Sequence, residues 1–172
     1  MYPIENYGSA MAPFYTVLCL WVGALILAAI VNVNITNPAF KEFKLWQQYF
    51  GRSMTFSLMG ILQALVASLG DIYLLHIQCL SPLKFVLICV ACSYTFCKIV
   101  YTLTIALDDV GKAIAVVLLV MQVAGSGGTF PSEVMPKFFQ VINSVLPFRF
   151  GLAATRECIA GMYGDIYWKN VL

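Results

Sequence analysis

Residues 13–31 read PFYTVLCLWVGALILAAIV, a stretch that contains no charged residue. A helix needs about 20 predominantly apolar residues to cross the hydrocarbon core of a bilayer. Strands of a membrane barrel alternate between apolar and polar residues, whereas this run shows no such alternation. The stretch therefore predicts a membrane-spanning helix, and we place the first span at residues 12–32.

The composition of the whole chain indicates the same class of protein. Of the 172 residues, 61% are hydrophobic and 10% are charged, whereas an ordinary soluble domain is about 25% charged. This length has room for about four or five spans with short loops. The ten Lys and Arg residues are scattered and the net charge is +2, so no basic surface indicates nucleic acid binding. We expect an integral membrane protein and not a soluble enzyme.

Three further apolar runs predict three further spans. These are residues 53–75, 82–107 and 112–129. Between the first two spans, residues 38–52 carry basic residues and aromatic residues at helical spacing, which is typical of an amphipathic helix at the membrane interface. A short polar turn at residues 108–112 separates the last two spans. The predicted fold is a single all-α domain over residues 1–172, a polytopic bundle of about four spans plus a re-entrant helical hairpin.

The hairpin is predicted at residues 130–160. The fourth apolar run is short, and glycines follow it where a turn within the membrane would need a permissive backbone. Prolines then interrupt any long helix, and charged residues cost roughly 2.5 to 3.5 kcal/mol each at the centre of a spanning helix. Close packing of helices through small residues is the alternative explanation of the glycines. The residues assigned to this re-entrant gate are Gly125, Gly127, Gly128, Pro131, Glu133, Pro136 and Arg149.

Motifs that could carry chemistry have simpler explanations. The GSGGTF stretch at residues 125–130 lacks the spacing and the lysine of a phosphate-binding loop. Cys89 and Cys92 form a CxxC motif, but it lies inside an apolar run without a second pair of ligands, so structural thiols are expected. A disulfide at Cys79 or Cys158 is the alternative. We predict no catalytic residue, no cofactor and no metal site.

Charged residues outside the apolar runs are also open to two interpretations. Asp108 and Asp109 are expected to cap the next helix, because acidic residues stabilise helix N-termini. Arg149, Arg156 and Glu157 either pack and reach water with their long side chains, or line a substrate pathway.

Loop charges predict the orientation. The loop after the first span carries Lys41, Lys44 and Arg52, whereas the loop between the second and third spans has no basic residue before Lys84. The positive-inside rule therefore places the first of these loops in the cytoplasm and Asp71 outside.

Two long stretches identify a family. YPIENYGSAMAPFYTVLCLWVGAL at residues 2–25 and AGSGGTFPSEVMPKFFQVINSVLPFRFGLAATRECIAG at residues 124–161 closely resemble the C-terminal membrane domain of the YhgE/Pip (phage infection protein) family. That family is similar to the permeases of type-2 ABC exporters. The resemblance implies a six-helix permease fold of which this chain is a fragment, with residues 12–124 matching helices two to five and residues 125–160 matching the hairpin before the sixth.

The resemblance implies a function as the membrane permease component of an ABC-type exporter. Such a permease forms a homodimer or heterodimer in the bacterial cytoplasmic membrane, crosses it several times, and takes its energy from a separate ATPase subunit. Lys41, Lys44 and Trp46 would then belong to the helix that contacts the ATPase. The alternative is a cell-surface membrane protein, a bacteriophage receptor or secretion-system accessory, with this domain as its anchor.

The orientation can be tested with single cysteines in a background without native cysteines. We expect an impermeant maleimide to label position 71 in intact cells and to label position 44 only after permeabilisation, because the positive-inside rule places the two positions on opposite sides. Labelling of position 44 from outside intact cells would contradict the predicted topology.

Overall fold

Four long helices are present among the residues that the structure describes. The computed structural model describes residues 7–31, 44–126, 136–138 and 146–161. The helices are α1 (Tyr7–Ile30), α2 (Leu45–Tyr73), α3 (Pro82–Gly125) and α4 (Pro147–Ala160). No strand is present in these residues, so the predicted all-α fold class is confirmed.

α1 lies at the centre of the bundle and contacts the other three helices. Apolar residues lie on several faces of α1, and Val17, Leu20 and Trp21 are fully buried. A helix that is apolar on nearly all sides belongs in the interior of a bundle or in a membrane. The stretch that predicts the first span therefore also supplies the core of the fold.

Two helices, Tyr7–Ile30 and Trp46–Tyr73, are long and apolar enough to cross a membrane. α2 differs from α1 because an apolar stripe along its length faces outward. The exposed residues of this α2 stripe are Met54, Leu58, Leu62, Val66, Leu69 and Tyr73. Exposed apolar surface of this extent is unusual in a soluble protein and suits contact with lipid. Four spans and a re-entrant hairpin stay a prediction.

Trp21 shows that α3 folds back on itself. Its ring lies 4.9 Å from the ring of Phe96, between centroids, and its Nε1–H donates to the carbonyl oxygen of Ala115 at 3.3 Å. Along a straight helix Phe96 and Ala115 would be about 28 Å apart, because each residue adds 1.5 Å. One indole can reach both only because the chain reverses between them. We call residues 82–107 the first arm of α3 and residues 109–125 the second arm.

The reversal occurs at Asp108, which has a φ of 49° and a ψ of −124°. Positive φ is uncommon outside glycine, so the packing of the two arms must hold Asp108 in this conformation. Gly111 then lies so close to the first arm that a Cβ would overlap the carbonyl oxygen of Leu103. The break falls within the predicted polar turn at residues 108–112, but it occupies one residue, and the helix resumes at once.

The start of α2 differs from the sequence-based prediction. A separate interfacial helix was expected at residues 38–52, followed by a span from residue 53. Residues 38–43 lie outside the described residues, and the helix that begins at Leu45 continues without a break to Tyr73. Gly51 does not end it, because helix interiors tolerate a single glycine at a modest cost. Residues 45–52 are therefore the first two turns of α2, and their position at the interface stays a prediction.

α2 packs against the first arm of α3 through small residues. The buried small residues of α2 are Ser53, Ser57, Gly60, Ala64 and Ser68. At the closest point the Ser93 hydroxyl donates to the Gly60 carbonyl oxygen at 2.7 Å. A Cβ at Gly60 would lie 2.5 Å from the Cys97 sulfur. Small residues allow helix backbones to approach closely, which is how helices associate in lipid.

α4 lies across α1 and the first arm of α3. The Phe148 and Phe14 rings are 5.9 Å apart and meet edge to face. At the other end of α4, the Cys158 carbonyl oxygen accepts a hydrogen bond from the Ser81 backbone N–H at 3.3 Å. Arg149 and Arg156 lie on the exposed side of α4. This helix therefore covers the core with its apolar face and keeps its arginines outside the core.

Gly60→Leu and Gly51→Leu form a matched pair that tests the close approach of α2 and α3. Both positions lie on α2, but a Cβ at Gly51 meets nothing within 4 Å. We expect Gly60→Leu to lower the free energy of unfolding by about 1–3 kcal/mol, because it overpacks the interface. Thermal unfolding of the purified protein in detergent measures this. Equal melting temperatures for the two variants would show that α2 and α3 do not approach closely at Gly60.

Candidate functional site

A cavity of about 750 Å³ lies where the N-terminal half of α1, the C-terminal end of α2 and the segment after α2 meet. We call it the Asp71 cavity. Apolar side chains form most of its wall, and a few polar groups interrupt them. The lining includes Tyr7, Met11, Tyr15, Thr16, Asp71, Leu75, His76 and Ile77. Apolar walls with a small number of polar groups are typical of sites for small molecules.

Asp71 lies in the last turn of α2, and Thr16 holds its carboxylate toward α1. The Thr16 hydroxyl contacts Asp71 Oδ2 and also the Ala12 carbonyl oxygen, at 2.8 Å. A hydroxyl has one proton to donate, so it can satisfy only one of these two acceptors at a time. The Asp71 carboxylate therefore has acceptor capacity left beside the cavity.

Polar contacts also join α2 to its two neighbouring helices, at part-buried and exposed positions. Lys98 Nζ, on the first arm of α3, contacts Ser53 Oγ on α2, and lies 5.3 Å from the centre of the Tyr94 ring. On the other side of α2, Gln63 Nε2 donates to the Cys19 carbonyl oxygen of α1 at 3.1 Å. We call these two contacts, together with Ser93 and Gly60, the polar seam.

At the N-terminal end of α2, tyrosines continue this set of contacts. The hydroxyls of Tyr49 and Thr102 are 3.0 Å apart. The Tyr101 hydroxyl donates to the backbone carbonyl oxygen of Tyr49 at 3.2 Å. Polar groups thus join α2 to the first arm of α3 from Tyr49, near the start of α2, to Gly60, near its middle.

Gln122, on the second arm of α3, is completely buried. Within the described part of the chain, neither its Nε2 nor its Oε1 has a hydrogen-bond partner. Buried side-chain amides are almost always hydrogen bonded, and an exception calls for a bound water, an ion or a functional role. Gln122 is therefore a candidate for contact with a molecule that passes through or binds in the bundle.

The residues predicted to contact an ATPase are only partly described. Lys41 lies outside the described residues. Lys44 is exposed just before α2, where its backbone N–H donates to Gln47 Oε1 at 3.2 Å. Trp46 is 61% exposed and meets the Phe50 ring edge to face at 6.3 Å. Lys44 and Trp46 therefore lie together at one end of α2, and neither is needed for the core.

The residues predicted to form a re-entrant gate lie on separate segments. Gly125 is buried at the end of α3, and Pro136 and Arg149 are exposed. Gly127, Gly128, Pro131 and Glu133 lie outside the described residues. That these residues act together as a gate stays a prediction.

The thiols show no sign of chemistry. All six cysteines are free, and Cys79 Sγ donates to the Cys158 carbonyl oxygen at 3.5 Å. Burial raises the pKa of the Cys79 thiol, and burial, followed by the nearby Cys79, raises the pKa of Cys158 to about 12. A nucleophilic cysteine needs a lowered pKa. Among the described residues no group of three or more His, Cys, Asp or Glu side chains could hold a metal ion.

The interpretation of the sequence missed the residues that matter most in this geometry. Asp71 was placed at the outer end of the second span without any role, and the structure places it in the last turn of α2. Neither Lys98 nor Gln122 was assigned to a site, although each is a polar residue within an otherwise apolar run. A systematic search for such residues would have found both, because polar groups in apolar helices usually face a partner or a cavity.

Comparison with known proteins gives one relationship. No family model matches the chain, and no solved structure matches it. The protein named "Uncharacterized protein YhgE" from Bacillus subtilis (strain 168) is 28% identical over 169 residues, which is 98% of this chain and 22% of that protein. The chain thus spans about a fifth of the length of this relative. The resemblance found in the sequence is confirmed as a relationship to YhgE over nearly the whole chain. Two of the described helices are long and apolar enough to cross a membrane.

Proposed function

We propose that the chain is the membrane permease component of an ABC-type exporter, which moves a substrate across the bacterial cytoplasmic membrane with a separate ATPase subunit. The observation that carries this proposal is the set of polar groups held between helices whose outer surfaces are apolar. Lys98 and Ser53 face each other between α2 and α3, while the α2 stripe faces outward. This is the arrangement expected of a bundle with a polar interior route.

The energetic cost of these groups supports transport over anchoring. A charged side chain at the centre of a spanning helix costs roughly 2.5 to 3.5 kcal/mol, and such residues usually mark substrate or ion pathways. An anchor needs only apolar helices. Lys98 is only half-buried, and its contacts with Ser53 and Tyr94 offset part of the cost.

Gln122 adds an argument of the same kind. Leaving a buried polar group without a partner costs about 1–3 kcal/mol. A methionine or leucine at that position would avoid the cost, so the amide is expected to serve a molecule that binds there. A passing substrate, or a water that accompanies it, would supply the missing hydrogen bonds.

The proposal includes a contact with an ATPase at the exposed end of α2. Trp46 and Phe50 are exposed beside Lys44 within two helical turns, and aromatic residues are enriched at protein interfaces. Lys41 belongs to the same proposal.

The permease would act as a homodimer or heterodimer that crosses the membrane several times, and it would not itself hydrolyse ATP. The gate residues from Gly125 to Arg149 would close its outer side.

Photocrosslinking tests the proposed contact. A photoreactive amino acid is placed at position 44 or 46 of the full-length protein in its own host cells, and the crosslinked products are identified by mass spectrometry. We expect a crosslinked product that contains the ATPase, because both positions are exposed at the end of α2 that is predicted to face the cytoplasm.

Position 59 is the matched control. Met59 lies on the same helix and is 48% exposed, but it is about 20 Å from position 46 at 1.5 Å per residue, so only lipid should be captured there. Products that contain only lipid from positions 44 and 46 would contradict the coupling role and favour an anchor.

A further inference from the structure

We propose that the Asp71 cavity binds an organic ammonium group, with the Asp71 carboxylate as the counter-ion. The inference does not depend on export, because a receptor or an anchor could hold the same ligand. It rests on three features of the cavity: its charge, the nature of its wall and its size.

The charge of the cavity favours a cation. Among the described residues that line it, Asp71 is the one carboxylate, and no lysine or arginine is present; the other ionisable side chains are those of His76, Cys19, Tyr7 and Tyr15. The contact with Thr16 leaves acceptor capacity on this carboxylate, since the Thr16 hydroxyl is shared with the Ala12 carbonyl oxygen. A carboxylate beside an apolar wall attracts a cation more strongly than it would in water.

The wall favours an organic cation over a metal ion. Ca²⁺ takes about six to eight oxygen ligands, and Mg²⁺ demands near-octahedral oxygen coordination, whereas one carboxylate and a few hydroxyls face this cavity. Tyr7 and Tyr15 line it as well. Aromatic rings together with a carboxylate are the groups that recognise alkylated ammonium ions, because the ring face is negative. Met11, Leu75 and Ile77 supply apolar contacts for the carbon substituents.

The size of the cavity fits a small molecule or a lipid headgroup. Its volume of about 750 Å³ lies within the roughly 300–1,000 Å³ range of ligand pockets. A choline or ethanolamine headgroup and a soluble amine carry the same ammonium chemistry, and both could reach a cavity at the end of the bundle. The experiment therefore distinguishes these two sources.

Choline and its neutral carbon analogue 3,3-dimethylbutan-1-ol test the recognition of charge. The full-length protein is placed in nanodiscs of phosphatidylglycerol, and binding of each probe is measured by equilibrium dialysis. We expect choline to bind at least tenfold more tightly than the neutral analogue. Equal binding of the two probes would overturn the proposal, and so would no binding of choline.

Variants then locate the site. Asp71→Asn should weaken choline binding at least tenfold, whereas Asp109→Asn, at an exposed carboxylate in the turn of α3, should leave it unchanged. Tyr15→Leu should weaken binding about threefold, and Tyr15→Phe should not, because a phenyl ring keeps the negative face. Tyr15 is 60% exposed, so these two variants are expected to fold. Binding that is unaffected by both Asp71→Asn and Tyr15→Leu would place choline elsewhere and overturn the proposal.

Nanodiscs that contain phosphatidylcholine identify the natural source. If the lipid headgroup occupies the cavity, the apparent affinity for free choline falls at least threefold relative to phosphatidylglycerol discs, and Asp71→Asn removes the difference. If the affinity is the same in both discs, the cavity takes a soluble ammonium compound. Both outcomes support the proposal, with different sources, and neither requires the ATPase.

Discussion

The indole of Trp21 is the contact on which the bundle depends. It packs on Phe96, donates to the backbone of Ala115 and is completely buried. In this way α1 holds both arms of α3 in one place, although the two contacts are far apart along the chain. Indole has one N–H, and a buried indole needs a partner for it. The carbonyl of Ala115 serves as that partner only while the second arm lies against α1. The burial of Trp21 in the core therefore depends on the turn at Asp108.

Glycines allow the backbones to come close enough for these contacts. In a membrane, an apolar side chain gains little free energy when it moves from the lipid tails into a contact between helices. Helices in lipid therefore associate through close packing and hydrogen bonds. Gly60 meets Ser93 and Cys97 of α3, and Gly151 of α4 lies against Cys92. The same approach brings polar groups of neighbouring helices within reach of each other, as Ser93 and the Gly60 carbonyl show. Tight packing and a polar interior are therefore two results of one arrangement, and the proposed transport route depends on both.

The sequence predicted the helical class, the first long apolar helix and the location of the turn near residue 108, because these follow from runs of apolar residues and from charge. It did not predict that residues 45–52 join α2, since an amphipathic pattern does not show where a helix ends. Asp71 and Thr16 are 55 residues apart, and nothing local indicates that they meet. Gln122 could have been noticed as an amide in an apolar run, but that no described residue pairs with it depends on the packing of α3 against the rest of the bundle.

The fold-back of α3 can be measured as one distance. Spin labels are attached at positions 95 and 116, both exposed, in the full-length protein in lipid nanodiscs, and pulsed electron paramagnetic resonance gives their separation. With packed helix axes about 8–10 Å apart, the account predicts a distance below roughly 20 Å, including the label linkers. A straight α3 would separate the two positions by about 31 Å at 1.5 Å per residue. A distance near that value would contradict the placement of both arms of α3 around Trp21.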